Sequence, residues 1–227
     1  MKLLIVPARS GSKRIKDKNV INFYNKPLLV HSLQIAKKSK IFDYIHLSTD
    51  SKQYAKIADK YGFEVKFLRD KSLSDDTTSI LDVIKKDCEK FNKLNYKFTD
   101  VSMLTATSPL MLPTDLIKMK NIFLKNNRKL PVLSVCQFPA NIERALFINK
   151  KGYLEYVNKK HILKNSQSFK NTYFDTGNAF YFDFNKLLNF EKSGFSKLIP
   201  YILPQHRSVD INEKNDLELC KKLYKIK

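Results

Sequence analysis

The feature that most constrains the fold is an alternation of short apolar runs with amphipathic segments over the first 135 of 227 residues. The apolar runs predict five strands, at Lys2–Pro7, Tyr44–Ser48, Glu64–Leu68, Asp100–Leu104 and Pro131–Val135. The segments between them predict four helices, at Leu28–Lys38, Lys52–Tyr61, Ile80–Phe91 and Pro113 to about Leu124. Such alternation predicts an α/β fold in which a mostly parallel, doubly wound sheet carries helices on both faces.

The second part of the chain departs from this alternation. Residues 137–174 show little helical periodicity and include the hairpin-like Lys150-Lys151-Gly152, so we expect an inserted β-arm suited to dimerisation. A further strand is predicted at Ala179–Phe182 and a closing helix at Asn215–Tyr224. Because no internal repeat or low-complexity segment divides the chain, we expect a single domain over residues 1–227.

Composition excludes several classes of protein. Hydrophobic residues make up 43% of the chain and aromatic residues 12%, which is enough to bury a core and argues against disorder. No run approaches the roughly 20 apolar residues that cross a bilayer, and the opening apolar run is too short for a secretory signal. The three cysteines and four histidines lack the spacing of a disulfide framework or a metal site. We therefore expect a soluble cytoplasmic protein.

The net charge of +20 admits two interpretations. A basic surface for nucleic acid is one, and it predicts binding that weakens steeply with salt. The charge, however, comes from thirty-six Lys and only six Arg spread along the chain, which favours solvated helix faces and no nucleic-acid partner. A positive field of this kind also attracts small substrates that carry several negative charges.

The loop after the first predicted strand is the strongest candidate site. It combines small residues, Ala8, Ser10 and Gly11, with the cations Arg9, Lys13 and Lys18. Loops at the carboxyl ends of parallel strands bind ligands, and small residues let backbone N–H groups approach an anion. The spacing matches neither the Walker A pattern nor the three-glycine dinucleotide fingerprint. A polyphosphate fits this loop better than the alternative, a solvated basic turn.

These residues carry a resemblance that extends along almost the whole chain. Pro7-Ala8-Arg9-Ser10-Gly11-Ser12-Lys13-Arg14 with Lys18-Asn19 resembles the N-terminal signature of the CMP-sugar synthetases, the acylneuraminate cytidylyltransferases. Further similar segments are Ser48-Thr49-Asp50-Ser51, Phe67-Leu68-Arg69-Asp70, Leu73 to Ser79 and Leu104-Thr105-Ala106-Thr107-Ser108-Pro109-Leu110. Late segments, including Asp175-Thr176-Gly177 and Ile199-Pro200-Tyr201-Ile202-Leu203-Pro204, are most similar to the pseudaminic acid branch.

The resemblance implies a Rossmann-like nucleotidyltransferase fold, a homodimer formed through the arm, and Mg²⁺ as cofactor. It also implies transfer of CMP from CTP to the anomeric hydroxyl of a nonulosonic acid, with release of pyrophosphate. Pseudaminic acid leads as substrate, and sialic acid, legionaminic acid or an eight-carbon sugar acid remain alternatives. No residue in the sequence identifies itself as a general base.

Specific roles follow from position in the family motifs. Arg9 and Lys18 would hold the CTP phosphates, with Lys13 close by and Asn19 near the nucleotide. Arg69 would line the nucleotide site, or form a surface salt bridge. Ser79 would contact the nucleotide or cap a helix.

The metal and sugar sites depart from the family pattern in two places. Asp210 and Asn212 correspond to two carboxylates that hold Mg²⁺ in the family, so Asn212 puts the two-carboxylate site in doubt and leaves an inactive scaffold as an alternative. Thr105 replaces a sugar-contacting Gln of the sialic acid enzymes. Candidate contacts to the sugar are Arg144, Asp175 and Asn178, although Asp175 equally suits a core or dimer contact.

Overall fold

The fold is seen in a computed structural model that describes residues 1–161, 163–189 and 197–226. Within these residues the strands are β1 (Lys2–Pro7), β2 (Asn22–Phe23), β3 (Lys26–Pro27), β4 (Tyr44–Ser48), β5 (Asp100–Leu104), β6 (Val132–Gln137), β7 (Leu146–Ile148), β8 (Leu154–Tyr156), β9 (Tyr173–Asp183) and β10 (Ile199–Ile202). The α-helices are α1 (Leu28–Ser39), α2 (Lys52–Lys60), α3 (Ile80–Lys93), α4 (Pro113–Lys125), α5 (Phe184–Leu188) and α6 (Lys214–Lys225).

Six strands form one central sheet in the order β10-β6-β9-β5-β1-β4. β1 runs parallel to both β4 and β5, and β6 runs parallel to β10. Among the described strands of this sheet, only β9, inserted between β5 and β6, is antiparallel to its neighbours. The mostly parallel sheet is therefore confirmed. The chain passes from β1 to β4 on one side and then to β5 on the other, and this reversal opens a crevice at the carboxyl ends of β1 and β5.

Helices cover both faces of the sheet, as the alternating pattern predicts. Leu4 and Val6 of β1 pack into a core with α1, α2 and α4. Leu3 and Ile5 pack on the opposite face with α3 and α5. Because β1 is buried on both faces, its sequence is a continuous apolar run and does not alternate. Among the described residues, no helix is both long enough and apolar enough to cross a bilayer.

The predicted strand at Glu64–Leu68 is wrong. These residues have irregular backbone, although Arg69 N–H still donates to the Thr49 carbonyl at 2.8 Å. The chain leaves α2 through Gly62, and Phe63 N–H bonds back to the end of that helix. This segment runs past β4 without forming a ladder, so β4 is the edge of the sheet.

The region after β6 contains structure that the sequence pattern did not predict in full. β9 begins six residues before the predicted Ala179–Phe182 and crosses the sheet between β5 and β6. β10 was not predicted, because Pro200 within it is typical of an edge position and weakens the strand signal. Between β6 and β9, the predicted arm carries the antiparallel β7–β8 hairpin, with side chains largely exposed.

Candidate active site

Two cavities open at the carboxyl ends of β1 and β5, and a third adjoins them beside β5, β6 and β9. The first, about 320 Å³, is lined by residues that include Arg9, Lys18, Asn19, Arg69 and Thr105. The second, about 420 Å³, shares Arg9, Lys18 and Asn19 with the first and adds Lys13, Arg14 and Asn212. The third, about 480 Å³, shares Thr105 and Ile80 with the first and is mostly apolar. We call them the central, basic and apolar cavities.

The loop over residues 8–19, here called the β1 loop, is anchored by its small residues. The Ala8 N–H donates to the Ser48 carbonyl at 2.8 Å. The Ser10 N–H and hydroxyl both donate to the Asp50 carboxylate, at 2.9 and 2.8 Å. These donors are therefore engaged within the protein. The N–H groups of Gly11 and Lys13 have no hydrogen-bond partner among the described residues, which leaves them for an anion.

The cations of the β1 loop meet a carboxylate from a distant turn. Arg9 donates to the Asp75 carbonyl at 2.8 Å and pairs with Asp76 at 2.5 Å. Lys13 pairs with the other oxygen of Asp76 at 2.5 Å. Hydrogen bonds from Lys13 and Arg9 lower the pKa of Asp76, so it is charged at neutral pH. Asp76 is thus the ion-pair partner of both Arg9 and Lys13.

Lys18 and Asn19 hold the far end of the β1 loop. The Lys18 amine donates to the Ile211 carbonyl, which joins the loop to the last segment of the chain. Burial lowers the pKa of Lys18, and the charge of Asp210 opposes this shift. The Asn19 amide donates to the Arg9 carbonyl at 3.0 Å and is buried. The structure therefore brings Arg9, Lys18 and Asn19 together around the central and basic cavities.

The residues predicted to hold Mg²⁺ lie beside this loop. One oxygen of the exposed Asp210 carboxylate accepts from the Asn212 amide nitrogen at 2.6 Å. The Asn212 amide oxygen accepts from Arg14 at 2.9 Å, so it is already engaged. Among the described residues, no three His, Cys, Asp or Glu side chains gather into a metal-binding group. Since Mg²⁺ usually binds one or two carboxylates together with substrate phosphates, Asp210 alone fits as a direct ligand.

Arg69 lies at the floor of the central cavity and is only 6% exposed. Its Nε donates to the Ser48 hydroxyl at 3.0 Å, and its Nη2 donates to the Ser48 carbonyl at 2.8 Å. Burial lowers the pKa of Arg69, and the charges of Asp87 and Asp50 oppose that shift. The alternative of a surface salt bridge is therefore wrong.

Ser79 caps α3, since its hydroxyl oxygen accepts from the Asp82 N–H at 3.1 Å. Its neighbours Thr78 and Ile80 line the central cavity, whereas Ser79 is exposed and lies outside the lining. The structure thus shows the capping role, and the nucleotide contact stays a prediction.

The predicted sugar-binding residues divide between the apolar cavity and its surroundings. Thr105 and Asp175 line this cavity together with Met103, Leu133, Phe180 and Phe182. Asn178 is buried behind Thr105, where its carbonyl accepts the Thr105 N–H at 2.9 Å. Asp175 is exposed, which excludes the core role. Arg144 is exposed on the arm and lines none of the three cavities.

Two residues with a clear part in this site were not singled out by the sequence reasoning. Asp50 fixes the β1 loop through Ser10, and Asp76 neutralises Arg9 and Lys13. Asp50 comes directly after β4, and residues that follow parallel strands tend to lie at the ligand-binding edge of a sheet, so its position could have indicated a place in the site. Asp76 carries no such signal, because its contact depends on how a long loop folds back.

Residues 3–224 match the family model described as Cytidylyltransferase. A pseudaminic acid cytidylyltransferase of Campylobacter jejuni subsp. jejuni serotype O:23/36 (strain 81-176) is 36% identical over 225 residues, covering 99% of this chain and 96% of the relative. A CMP-N,N'-diacetyllegionaminic acid synthase of Legionella pneumophila subsp. pneumophila (strain Philadelphia 1) is 38% identical over 111 residues, covering 49% of this chain and 48% of the relative.

A solved structure shows the same fold over the whole chain. The structure of a CMP:2-keto-3-deoxy-manno-octonic acid synthetase complexed with CTP superposes with a TM-score of 0.74 at 13% identity, covering 99% of this chain and 98% of that one. The Rossmann-like nucleotidyltransferase fold implied by the sequence resemblance is thereby confirmed. Together with the family match over residues 3–224, these findings show that the chain belongs to the cytidylyltransferase family.

Proposed function

We propose that this cytidylyltransferase transfers CMP from CTP to the anomeric hydroxyl of a nonulosonic acid, with pseudaminic acid as the preferred substrate. The observation that carries the proposal is the convergence of Arg9, Lys18 and Asn19 on one cavity at the carboxyl end of β1. The apolar cavity adjoins this one through Thr105, so two reactants can lie side by side. Holding two reactants in a fixed geometry supplies much of the rate of such a transfer.

The reaction is an in-line displacement at phosphorus. The anomeric oxygen of the sugar attacks the α-phosphorus of CTP, the bond between that phosphorus and the bridging oxygen breaks, and pyrophosphate leaves. The hydroxyl proton passes to solvent. Arg9, Lys18 and the unpaired N–H groups of the β1 loop would stabilise the charge that develops on the phosphate oxygens.

We propose Mg²⁺ as cofactor, with Asp210 as its protein ligand and the CTP phosphates completing the coordination. When bound, the ion would neutralise phosphate charge and polarise the reacting phosphoryl group. Asn212 would act differently from a ligand, because its oxygen accepts from Arg14 and its nitrogen donates to Asp210. In this arrangement Asn212 would hold the carboxylate of Asp210 in place as the ligand of the ion.

The lining of the apolar cavity supports a preference for diacetamido sugar acids as a class, and the choice of pseudaminic acid among them rests on the 36% identical relative. Met103, Leu133, Phe180 and Phe182 offer apolar surface to the methyl groups of acetamido substituents. A sugar acid with two acetamido groups buries more apolar surface there than one with free hydroxyls, which would leave buried polar groups unpaired.

We also propose that the protein is a cytoplasmic homodimer formed through the arm. Phe147, Ile148 and Leu154 of the β7–β8 hairpin are 47%, 71% and 65% exposed. Exposed apolar residues gathered on one hairpin are typical of an interface between protein chains.

Pyrophosphate release with CTP, Mg²⁺ and a panel of pseudaminic, legionaminic, sialic and eight-carbon sugar acids tests this function. We expect turnover to be highest with pseudaminic acid. No pyrophosphate release with any acid of the panel would refute the proposal. Faster release with another member would assign that acid as the substrate instead.

Replacement of Arg9 tests the role of the β1 loop. Arg9→Ala removes a charged donor at the phosphates, so we expect pyrophosphate release to fall by about a hundredfold or more. Thermal unfolding of the variant reports whether the fold is intact. Unchanged turnover in a folded variant would contradict the role given to Arg9.

A further inference from the structure

A buried polar layer lies beneath the central cavity, between β4 and α3. Arg69 is fixed there on one side, since its Nε and Nη2 both donate to Ser48. Its remaining nitrogen, Nη1, has no hydrogen-bond partner among the described residues, and Arg69 lines the cavity. The orientation of Nη1, which is left for a ligand, therefore depends on the groups that hold Ser48 and the Arg69 guanidinium on the side away from the cavity.

Asp87 of α3 supplies the negative charge of this layer. It is 1% exposed, and the Ser48 hydroxyl and the positive charge of Arg69 both act on its carboxylate to lower its pKa. A serine hydroxyl has a single proton. Because the Ser48 oxygen accepts the Arg69 Nε–H, that proton is available to the Asp87 carboxylate. A buried carboxylate is costly unless an opposite charge compensates it, and Arg69 is such a charge.

The other charged and titratable groups near Asp87 have different partners. The Lys90 amine donates to the Leu68 carbonyl at 3.0 Å and pairs with Asp70 at 2.6 Å. Burial lowers the pKa of His46 to about 3, so the ring is neutral, and it packs against Phe67. One oxygen of Asp87, Oδ2, has no hydrogen-bond partner among the described residues. No function assigned above uses this carboxylate.

We propose that Asp87 is a positioning residue, which acts through Ser48 to hold the Arg69 guanidinium in the orientation that contacts the nucleotide. This inference rests on the proposed function, because it assumes that the central cavity binds CTP. Asp87 itself does not line the cavity, so it touches neither substrate.

The substitution Asp87→Asn tests this role while nearly preserving the size of the side chain. We expect KM for CTP to rise about tenfold while kcat stays within about twofold, because Arg69 would bind the nucleotide equally in the ground and transition states. The matched control is Asp59→Asn, which makes the same chemical change at an exposed position on α2. We expect no effect on KM from the control.

The pH dependence separates positioning from a merely structural role. Burial raises the pKa of Asp87 to about 6, against the opposing influence of Ser48, Arg69 and Lys90, and Asp70 raises it further. Above pH 6 the carboxylate is charged and holds Arg69, whereas below pH 6 it is protonated and resembles the Asn variant. The ratio of variant to wild-type KM should therefore fall from about ten at pH 8 toward one at pH 5. Titration of the CTP phosphates affects both proteins and cancels in the ratio.

A second variant keeps the inference testable if Asp87→Asn fails to fold. Ser48→Ala retains both charges but removes the hydroxyl between them, so KM for CTP should again rise with little change in kcat. An unchanged KM in either folded variant, or a ratio independent of pH, would overturn the inference. Absence of turnover in the wild-type protein would instead refute the proposed function, and CTP binding by calorimetry with the same variants would then decide whether Asp87 positions Arg69.

Discussion

At the scale of single residues, the site is organised by carboxylates that act on the β1 loop and its cations. Asp50 fixes Ser10, Asp76 neutralises Arg9 and Lys13, and Asp210 lies close enough to Lys18 to oppose the lowering of its pKa. The charges of Arg9 and Arg14 also lower the pKa of Lys18, which shows that the cations repel one another. An added anion such as a triphosphate would relieve that repulsion.

The Asp76 contact leads to a prediction about affinity. Asp76→Asn would release Arg9 and Lys13 from a competing carboxylate, so KM for CTP should fall about two- to fivefold. The expected change is modest because exposed ion pairs contribute little to binding or stability. Steady-state kinetics with CTP as the varied substrate checks this, with Asp59→Asn as the neutral control. A higher KM in the variant would mean that Asp76 supports the bound state.

Residue roles could be predicted from the sequence only where a local sequence motif places the side chains close together. The sequence placed Arg9, Lys18 and Asn19 in one site because they share a loop directly after a strand. It could not predict that the Ala8 and Ser10 N–H groups are engaged by Ser48 and Asp50, since those partners come from another element. Burial of Arg69 was equally beyond the local pattern.

At the scale of elements, apolar periodicity predicted the buried strands and the helices well. β1, β4 and β5 have the predicted bounds because continuous apolar runs there are buried on both faces or end at clear turns. Glu64–Leu68 alternates charged and apolar residues as a strand can, yet it makes no ladder, because ladder formation depends on neighbours that the sequence does not specify. The antiparallel direction of β9 likewise depends on how the arm returns the chain to the sheet.

His46 on β4 makes the stability of the fold sensitive to acid. Both ring nitrogens are buried without hydrogen-bond partners among the described residues, and burial lowers the pKa to about 3 from 6.5. The unfolded chain therefore binds a proton as pH falls below 6.5, while the folded chain does not until about pH 3. Stability is fully present above pH 6.5 and is lost progressively as pH falls through this window.

Replacement of His46 by an apolar ring tests that account. Because His46 packs against Phe67 and Phe91, His46→Phe should keep the packing and remove the titration. As pH falls from 6.5 to 4, the free energy of unfolding of the variant minus that of the wild type should increase by about 3 kcal/mol, at 1.36 kcal/mol per pH unit. Urea unfolding at several pH values measures the difference. A constant difference would show that His46 titrates normally.

The β7–β8 hairpin carries the prediction about assembly. Ile148→Ser combined with Leu154→Ser removes apolar surface that is exposed in the single chain, so the protein should shift from dimer to monomer. Light scattering after size-exclusion chromatography measures the mass. Lys150→Ser at the turn of the same hairpin is the control, and a dimer that survives the double substitution would place the interface elsewhere.

At the scale of the whole molecule, the sheet order decides where the candidate site lies. The reversal between β4 and β5 around β1 places the β1 loop, Thr105 and the start of α3 around one crevice. The last segment returns across the molecule, where Lys18 reaches the Ile211 carbonyl and Arg14 reaches Asn212. The family resemblance implied this meeting of distant segments, whereas composition and periodicity did not.

The central claim is that the β1 loop binds the triphosphate of CTP. The most direct measurement is a crystal structure of the protein with CTP bound. The account predicts phosphate oxygens within hydrogen-bonding distance of Arg9 and Lys18, with the cytidine in the central cavity beside Arg69. A nucleotide seated elsewhere, with Arg9 and Lys13 still paired to Asp76, would contradict it.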